Sequence, residues 1–214
     1  MTSRFENLRR EYTQGGLRRP DLLNDPIDFF NRWFEQVAEA GLTDPTAMVL
    51  ATVSAGGQPS QRIVLLKGVS AAGFVFYTNT GSRKGQELAG NPRVSVLFPW
   101  QSLDRQVKIC GRVESLPRTS AERYFHSRPR DSQLAAWASP QSQPIASRDF
   151  LTQRFGAYKE QFGTGEIPLP DGWGGYCVVP HEMEFWQGGA HRLHDCFRYQ
   201  KTAGGGWQIE RIAP

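Results

Sequence analysis

The sequence predicts a mainly β fold of the α+β class, an antiparallel barrel with helices at its periphery. Strand-length segments outnumber helical ones along the 214 residues. They do not alternate with helices in the βαβ order that builds a doubly wound parallel sheet. Arg105–Glu114 sets Gln106, Lys108 and Cys110 against Val107, Ile109 and Gly111, the period-two pattern of a half-buried strand in a closed antiparallel sheet. The length suits one domain with a substantial core, so the expected organisation is a mobile polar arm over residues 1–25 and one domain over 26–214.

Taken in order, the arm is rich in Arg and Asn, and Gly15, Gly16 and Pro20 interrupt it. Asp25-Pro26 opens a helix, with Asp as cap and Pro in the first turn. Phe29, Phe30, Trp33, Phe34 and Val37 recur at helical spacing up to Gly41, an aromatic stripe of core type. Ala47–Val53 reads as a strand, and Ala55-Gly-Gly-Gln58 turns into a second strand, Arg62–Lys67. Phe74–Tyr77 is another strand. Thr78-Asn-Thr-Gly-Ser82 leads into a short helix over 83–89, which Asn91-Pro92 ends. Arg93–Phe98 and Arg105–Glu114 follow as strands. Thr119 is the expected cap of a helix carrying Arg123, Tyr124 and Phe125, and further helices are expected over Gln133–Ala138 and 147–162. Pro168 to Gly175 reads as a loop. The remaining strands are Tyr176–Val179, Met183–Gln187, Leu193–Gln200 and Trp207–Ile212.

Composition narrows the function. The 25 basic and 21 acidic side chains leave +4, a mild excess compatible with phosphorylated small molecules. No block of like charge reads as a nucleic-acid arm. No apolar run approaches a membrane span, and MTSRFENLRREY lacks a signal-peptide core, so a cytoplasmic protein is expected. Cys110, Cys177 and Cys196 fit no zinc or CxxC spacing, and an odd count argues against a disulfide framework. No metal is expected: His191 and His194 lack a third ligand nearby. GxSxG, P-loop and GxGxxG patterns are absent.

The chemistry concentrates around Arg62–Lys84. Side chains alternate along a strand, so Arg62 and Lys67, five apart, are expected on opposite faces, serving different anions. Amides at the start of the following helix, beside Arg83 and Lys84, favour a phosphate; a capped surface helix with two solvated cations is the alternative. Tyr124, Arg128 and Ser132, spaced by four, approximate one face that offers a guanidinium and two hydroxyls, although Pro129 interrupts the helix. On a strand, Arg192 and His194 share one face and could bracket a planar anionic ring.

In order along the chain, RIVLLKG, FYTNTGSRKG, NPRVSVLFPW, RQVKICG, YFHSRPRDSQLAAWAS, the pair Gln141-Ser142, WGGY and EFWQGGAHRLHD resemble the pyridoxamine 5′-phosphate oxidase family, a likeness running from about Arg9 to Pro214. The resemblance implies an FMN-binding split β-barrel, a homodimer with active sites at its interface, and oxidation of pyridoxine or pyridoxamine 5′-phosphate to pyridoxal 5′-phosphate by O2. It assigns FMN contacts to Arg62, Ile63, Val64, Leu65, Leu66, Lys67, Tyr77, Thr78, Arg83, Lys84, Gln106, Gln141, Ser142 and Trp186. Substrate phosphate falls to Lys67, Tyr124, Arg128 and Ser132. Arg192, Leu193 and His194 flank the ring, with Arg192 and His194 in the catalytic role, and Arg9, Arg10, Glu11 and Tyr12 close over it.

The sequence departs from the family at Cys196, where Arg is usual and contacts FMN, and at Cys177, where many relatives carry Arg. The expected consequence is weaker FMN binding. It also keeps open a weakly active flavin or pyridoxal-phosphate carrier, beside an oxidase of another small substrate on the same fold.

Overall fold

The computed structural model describes residues 10–12 and 15–214. The chain divides into two compact units, one holding residues through Leu50, Ser95–Gly111 and Pro180–Pro214, the other Ala51–Val94 and Arg112–Val179.

The first unit is built on α1 (Pro26–Glu39), and its start follows the local signals. Asp25 accepts from the Ile27 amide at 2.7 Å, and Pro26 occupies the first turn, where no amide donor is needed. The aromatic stripe is core: Phe29, Phe30, Trp33 and Val37 are buried, whereas Phe34 is half-buried. Phe30 meets Phe98 at 4.9 Å, and Phe29 meets Phe185 at 4.6 Å. Each such burial contributes about 1.5–3 kcal/mol.

Nine strands follow one another as β1 (Ala47–Val53), β2 (Pro59–Leu65), β3 (Gly68–Ser70), β4 (Gly73–Asn79), β5 (Arg93–Trp100), β6 (Arg105–Ser115), β7 (Trp173–Gln187), β8 (Asp195–Lys201) and β9 (Trp207–Ile212). They hydrogen-bond in the order β2-β1-β5-β6-β7-β4-β3, with β8 between β7 and β9. In the first unit, the end of β7 pairs antiparallel with β8, placing Trp186 opposite Cys196. In the second, the start of β7 pairs antiparallel with β4, placing Tyr77 opposite Gly175. The helices of the second unit are α2 (Arg83–Gly90), α3 (Arg118–Ser127), α4 (Arg130–Ala138) and α5 (Arg148–Phe162).

Several expectations are corrected. Tyr176–Val179 and Met183–Gln187 are parts of one 15-residue strand, which also takes in the end of the expected 168–175 loop. Pro180 is tolerated because the ladder with β4 ends at Val178 and that with β8 begins at Glu182. Thr119 caps nothing: α3 begins after Pro117, whose fixed φ starts the helix without a side-chain bond. Pro129 does the same for α4, which starts at Arg130 instead of Gln133. The Leu193–Gln200 strand begins only at Asp195; Ala190–Arg192 is a single 3₁₀ turn, with His191 and Arg192 at φ of 55° and 64°. Arg192 and His194 therefore do not share a strand face. The parity argument for Arg62 and Lys67 fails for a similar reason. β2 stops at Leu65, and the Lys67 amide instead donates to the Val75 carbonyl at 2.7 Å.

Candidate functional site

In the second unit, β2, the end of β4, the first turn of α2 and the α3–α4 junction enclose a cavity of about 940 Å³. Ser82 organises the α2 end. Its hydroxyl donates to the Asn79 carbonyl at 2.6 Å and accepts from the Gly85 amide at 3.4 Å. Gly85 lies so close to the preceding loop that a Cβ there would sit 2.1 Å from the Thr80 carbonyl oxygen. This close approach seats Lys84 among oxygens. Its Nζ lies 3.1 Å from Thr78 Oγ1, 3.3 Å from Ser82 Oγ and 3.0 Å from Gln141 Oε1. All three are neutral. Burial lowers the Lys84 pKa, and the Arg62 charge lowers it further.

Arg62 is held by a network that the sequence did not announce. Glu87, on the inner face of α2, accepts from Ser60 at 2.8 Å, from Thr52, and from Arg83 at 2.9 Å, and lies 3.3 Å from an Arg62 nitrogen. Burial alone would raise the Glu87 pKa, but the bonds from Thr52, Ser60 and Arg83 hold it down at about 2. Replacing Glu87 by Gln is expected to destabilise the protein by about 2 kcal/mol in neutral-pH denaturant titrations, because buried donors lose their charged acceptor. A depressed carboxylate contributes stability above its ordinary value of 4.5, so the difference between the proteins shrinks as pH falls from 4.5 toward 2.

Across the cavity, Tyr77 and Tyr124 stack at 4.2 Å, and Trp173 lies within 5° of parallel to Tyr77 at 5.5 Å. Arg128 sits at the end of α3 with its guanidinium carbon 5.0 Å from the centre of the Trp173 ring. Its Nη1 is buried and has no hydrogen-bond partner among the described residues. Burial lowers its pKa. A buried guanidinium donor without an acceptor, in a cavity also lined by Lys67, Tyr124 and Ser132, is suited to a phosphate.

The first unit holds a second cavity of about 290 Å³, lined by Gln106, Lys108, Glu184, Trp186, Cys196 and the Ile212–Pro214 end. Lys108 and Glu184 pair at 2.7 Å. The Cys196 thiol is pushed up to about 11 by burial and by Glu184, so it is neutral and carries no charge toward a ligand. Close by, His194 lies 4.6 Å from Trp186, and its Nδ1 accepts from the Gly189 amide at 3.1 Å. Tyr12 packs edge-on against both rings, Arg10 pairs with Asp104, and Glu11 accepts from the His191 amide.

The larger cavity thus gathers Arg62, Ile63, Val64, Leu65, Lys67, Tyr77, Thr78, Arg83, Lys84, Tyr124, Arg128, Ser132, Gln141 and Ser142. Leu66 lies outside its lining and is buried in the core. Gln106, Trp186 and Cys196 line the smaller one. Arg192 and Leu193 are exposed and line neither, and Arg9 lies outside the described residues. Glu87 and Trp173 are additions. The spacing of Arg83 and Glu87 on one helix could have signalled the first; nothing local signals the second. Cys177 and Cys196 are both free thiols.

Comparison with known proteins shows the family. Residues 34–162 match the family model described as pyridoxamine 5′-phosphate oxidase, and residues 173–214 match the pyridoxine 5′-phosphate oxidase C-terminal dimerisation region. The chain is 56% identical over 211 residues to the pyridoxine/pyridoxamine 5′-phosphate oxidase of Pseudoalteromonas translucida, covering 99% of this chain and 100% of that one. It is 57% identical over 208 residues to the enzyme of the same name from Aeromonas hydrophila, covering 97% and 98%. Among solved structures it resembles PhzG from Burkholderia lata in complex with tetrahydrophenazine-1-carboxylic acid, with a TM-score of 0.87, 28% identity, and 92% and 98% of the two chains covered. A pyridoxamine 5′-phosphate oxidase-related, FMN binding protein from Nostoc punctiforme shares the fold, with a TM-score of 0.72 at 15% identity, covering 90% and 100%. The mainly β split-barrel class expected from the sequence is borne out.

Proposed function

Because the chain belongs to the pyridoxamine 5′-phosphate oxidase family, we propose that its larger cavity seats FMN and a phosphorylated pyridine side by side. The protein is an FMN-dependent oxidase that converts pyridoxine or pyridoxamine 5′-phosphate to pyridoxal 5′-phosphate. The observation that carries the site reading is the pair of incomplete cation sites in one cavity: Lys84 on neutral oxygens, and Arg128 with a buried, unmatched nitrogen. Lys84, Arg83 and Arg62 hold the FMN phosphate, Tyr77, Thr78, Gln141, Ser142 and the 63–65 segment line the cofactor, and Lys67, Tyr124, Arg128 and Ser132 hold the substrate phosphate. When bound, FMN supplies the two-electron redox chemistry.

The protein's share is placement. Ion pairs and stacked rings fix both phosphates before reaction, which lowers the ordering needed to bring the reacting rings together. Arg192 clamps the substrate, and Arg10, Glu11 and Tyr12 close over it. The Gly189 amide donates to Nδ1 of His194 at 3.1 Å, which fixes the orientation of the ring that flanks the substrate. O2 is the terminal oxidant, giving hydrogen peroxide.

The dimerisation region supports a homodimer. In the proposed assembly, active sites lie at the interface and one protomer adds Gln106, Trp186 and Cys196 to the FMN of its partner. Among the described residues no helix is long and apolar enough to cross a membrane. Three free thiols suit a reducing cytoplasm.

The test is spectral. The FMN-loaded protein should be yellow, bleach anaerobically on addition of pyridoxine 5′-phosphate, and release peroxide in air. A protein that stays colourless in saturating FMN, or does not bleach, rejects the reading. Replacing the neutral Cys196 by Arg is expected to tighten FMN binding about tenfold or more, the worth of one charged hydrogen bond, as read by quenching of FMN fluorescence.

A further inference from the structure

We infer that Trp173 is a positioning residue of the substrate-phosphate site, the backing plate that holds the Arg128 guanidinium and the Tyr124 ring in place before the ester arrives. This rests on the oxidase reading above.

Trp173 opens β7 and is anchored on both sides. Its amide donates to the Pro170 carbonyl at 3.1 Å, and its ring belongs to the core formed by Phe125, Leu134, Ile167 and Leu169. It is 8% exposed, and that remaining surface faces the larger cavity. Four side chains lean on the indole. Tyr77 and Tyr124 lie nearly parallel to it, at 5° and 13°. The Arg128 guanidinium carbon is 5.0 Å from its centre, while Phe125, edge-on to the indole at 5.4 Å, meets Arg128 at 5.7 Å. The second of the two glycines that follow keeps this arrangement open. At Gly175 a Cβ would come within 2.6 Å of the Tyr77 ring and displace it from the stack.

The physical consequence concerns Arg128. Its Nη1 is buried with no partner, and no carboxylate pairs with its guanidinium among the described residues. A long side chain without an ion pair is free to leave such a position, and fixing it costs rotamer entropy. The faces of Trp173 and Phe125 supply the attraction that keeps it there, and indole is the strongest of the aromatic partners for a cation. The arginine is then ordered before phosphate binds, so less of the binding free energy is lost to ordering it.

The test uses FMN-loaded enzyme and the variants Trp173→Leu and Trp173→Phe, with pyridoxine 5′-phosphate as substrate and inorganic phosphate as competitive inhibitor. The Leu variant should raise KM about tenfold and weaken phosphate inhibition by the same factor, with the loss falling on KM instead of kcat and with any change in FMN affinity, passed on through Tyr77, well below tenfold. The Phe variant, which keeps a ring face, should lose only two- to threefold of each, and it decides alone if the Leu variant fails to fold. Unchanged KM and phosphate inhibition in a folded variant overturn the inference. So does a parallel loss of FMN affinity, which would mark a purely structural residue. Wild-type enzyme that does not turn over the substrate would instead reject the proposed function.

Discussion

Replacing Arg128 by Met is expected to raise KM for pyridoxine 5′-phosphate by about a hundredfold or more, with FMN still bound and the folded protein no less stable. The reasoning starts from the orphaned Nη1. Removing one partner of a buried charge pair typically costs about 2–5 kcal/mol of binding, and 2.7 kcal/mol is about a hundredfold. Methionine preserves apolar contact with Trp173 and Phe125, which now flank the guanidinium. Because the free protein already buries this charge without a counter-ion, neutralising it removes a destabilising element. Steady-state kinetics and thermal unfolding of the same preparation check both halves. Lysine at 128 should recover only part of the loss, because it restores charge without the fork. A methionine variant with normal KM would move the substrate phosphate away from the α3–α4 junction.

The second large effect belongs to Lys84→Met, which should weaken FMN binding about a hundredfold and leave apo-protein stability equal or higher. Lys84 is buried with only Thr78, Ser82 and Gln141 oxygens as hydrogen-bond partners among the described residues. Its folded pKa lies below the ordinary 10.5, so between the two values the unfolded chain binds more protons. The penalty for burying the charge is therefore fully present below the folded value and fades as pH rises toward 10.5. Wild-type apo-protein should gain stability over that alkaline window, and the methionine variant should lack the gain. Denaturant titrations across pH, paired with FMN titrations at neutral pH, measure both effects.

What could be read from the sequence was local. Asp25-Pro26 and the Phe29–Val37 stripe announce α1 because a cap, a first-turn proline and a four-residue spacing act within a few residues of one another. Ser82 before Arg83 and Lys84 announces α2 in the same way. What could not be read depends on partners distant in sequence. The expected gap between Tyr176–Val179 and Met183–Gln187 vanishes because one strand continues through it, pairing with β4 up to Val178 and with β8 from Glu182. The expected Arg192–His194 strand face is lost to two consecutive left-handed residues, a conformation uncommon for non-glycine residues and not signalled by their side chains. Trp173 lies 45 and 49 residues from Arg128 and Tyr124, and only the packed core shows that they meet. The resemblance named most of the cavity's polar wall, but not Glu87, which holds Arg62 from behind.

The contact between Gly85 and the Thr80 carbonyl has a consequence for mutational surveys. In a random library screened for loss of yellow colour, this glycine should appear among the null positions although it has no side chain to offer a ligand. Even an added methyl group would overlap the carbonyl and push the helix start outward, taking the neighbouring ammonium from its oxygens. Position 85 would then look like a direct flavin contact when it is the hinge-pin behind one.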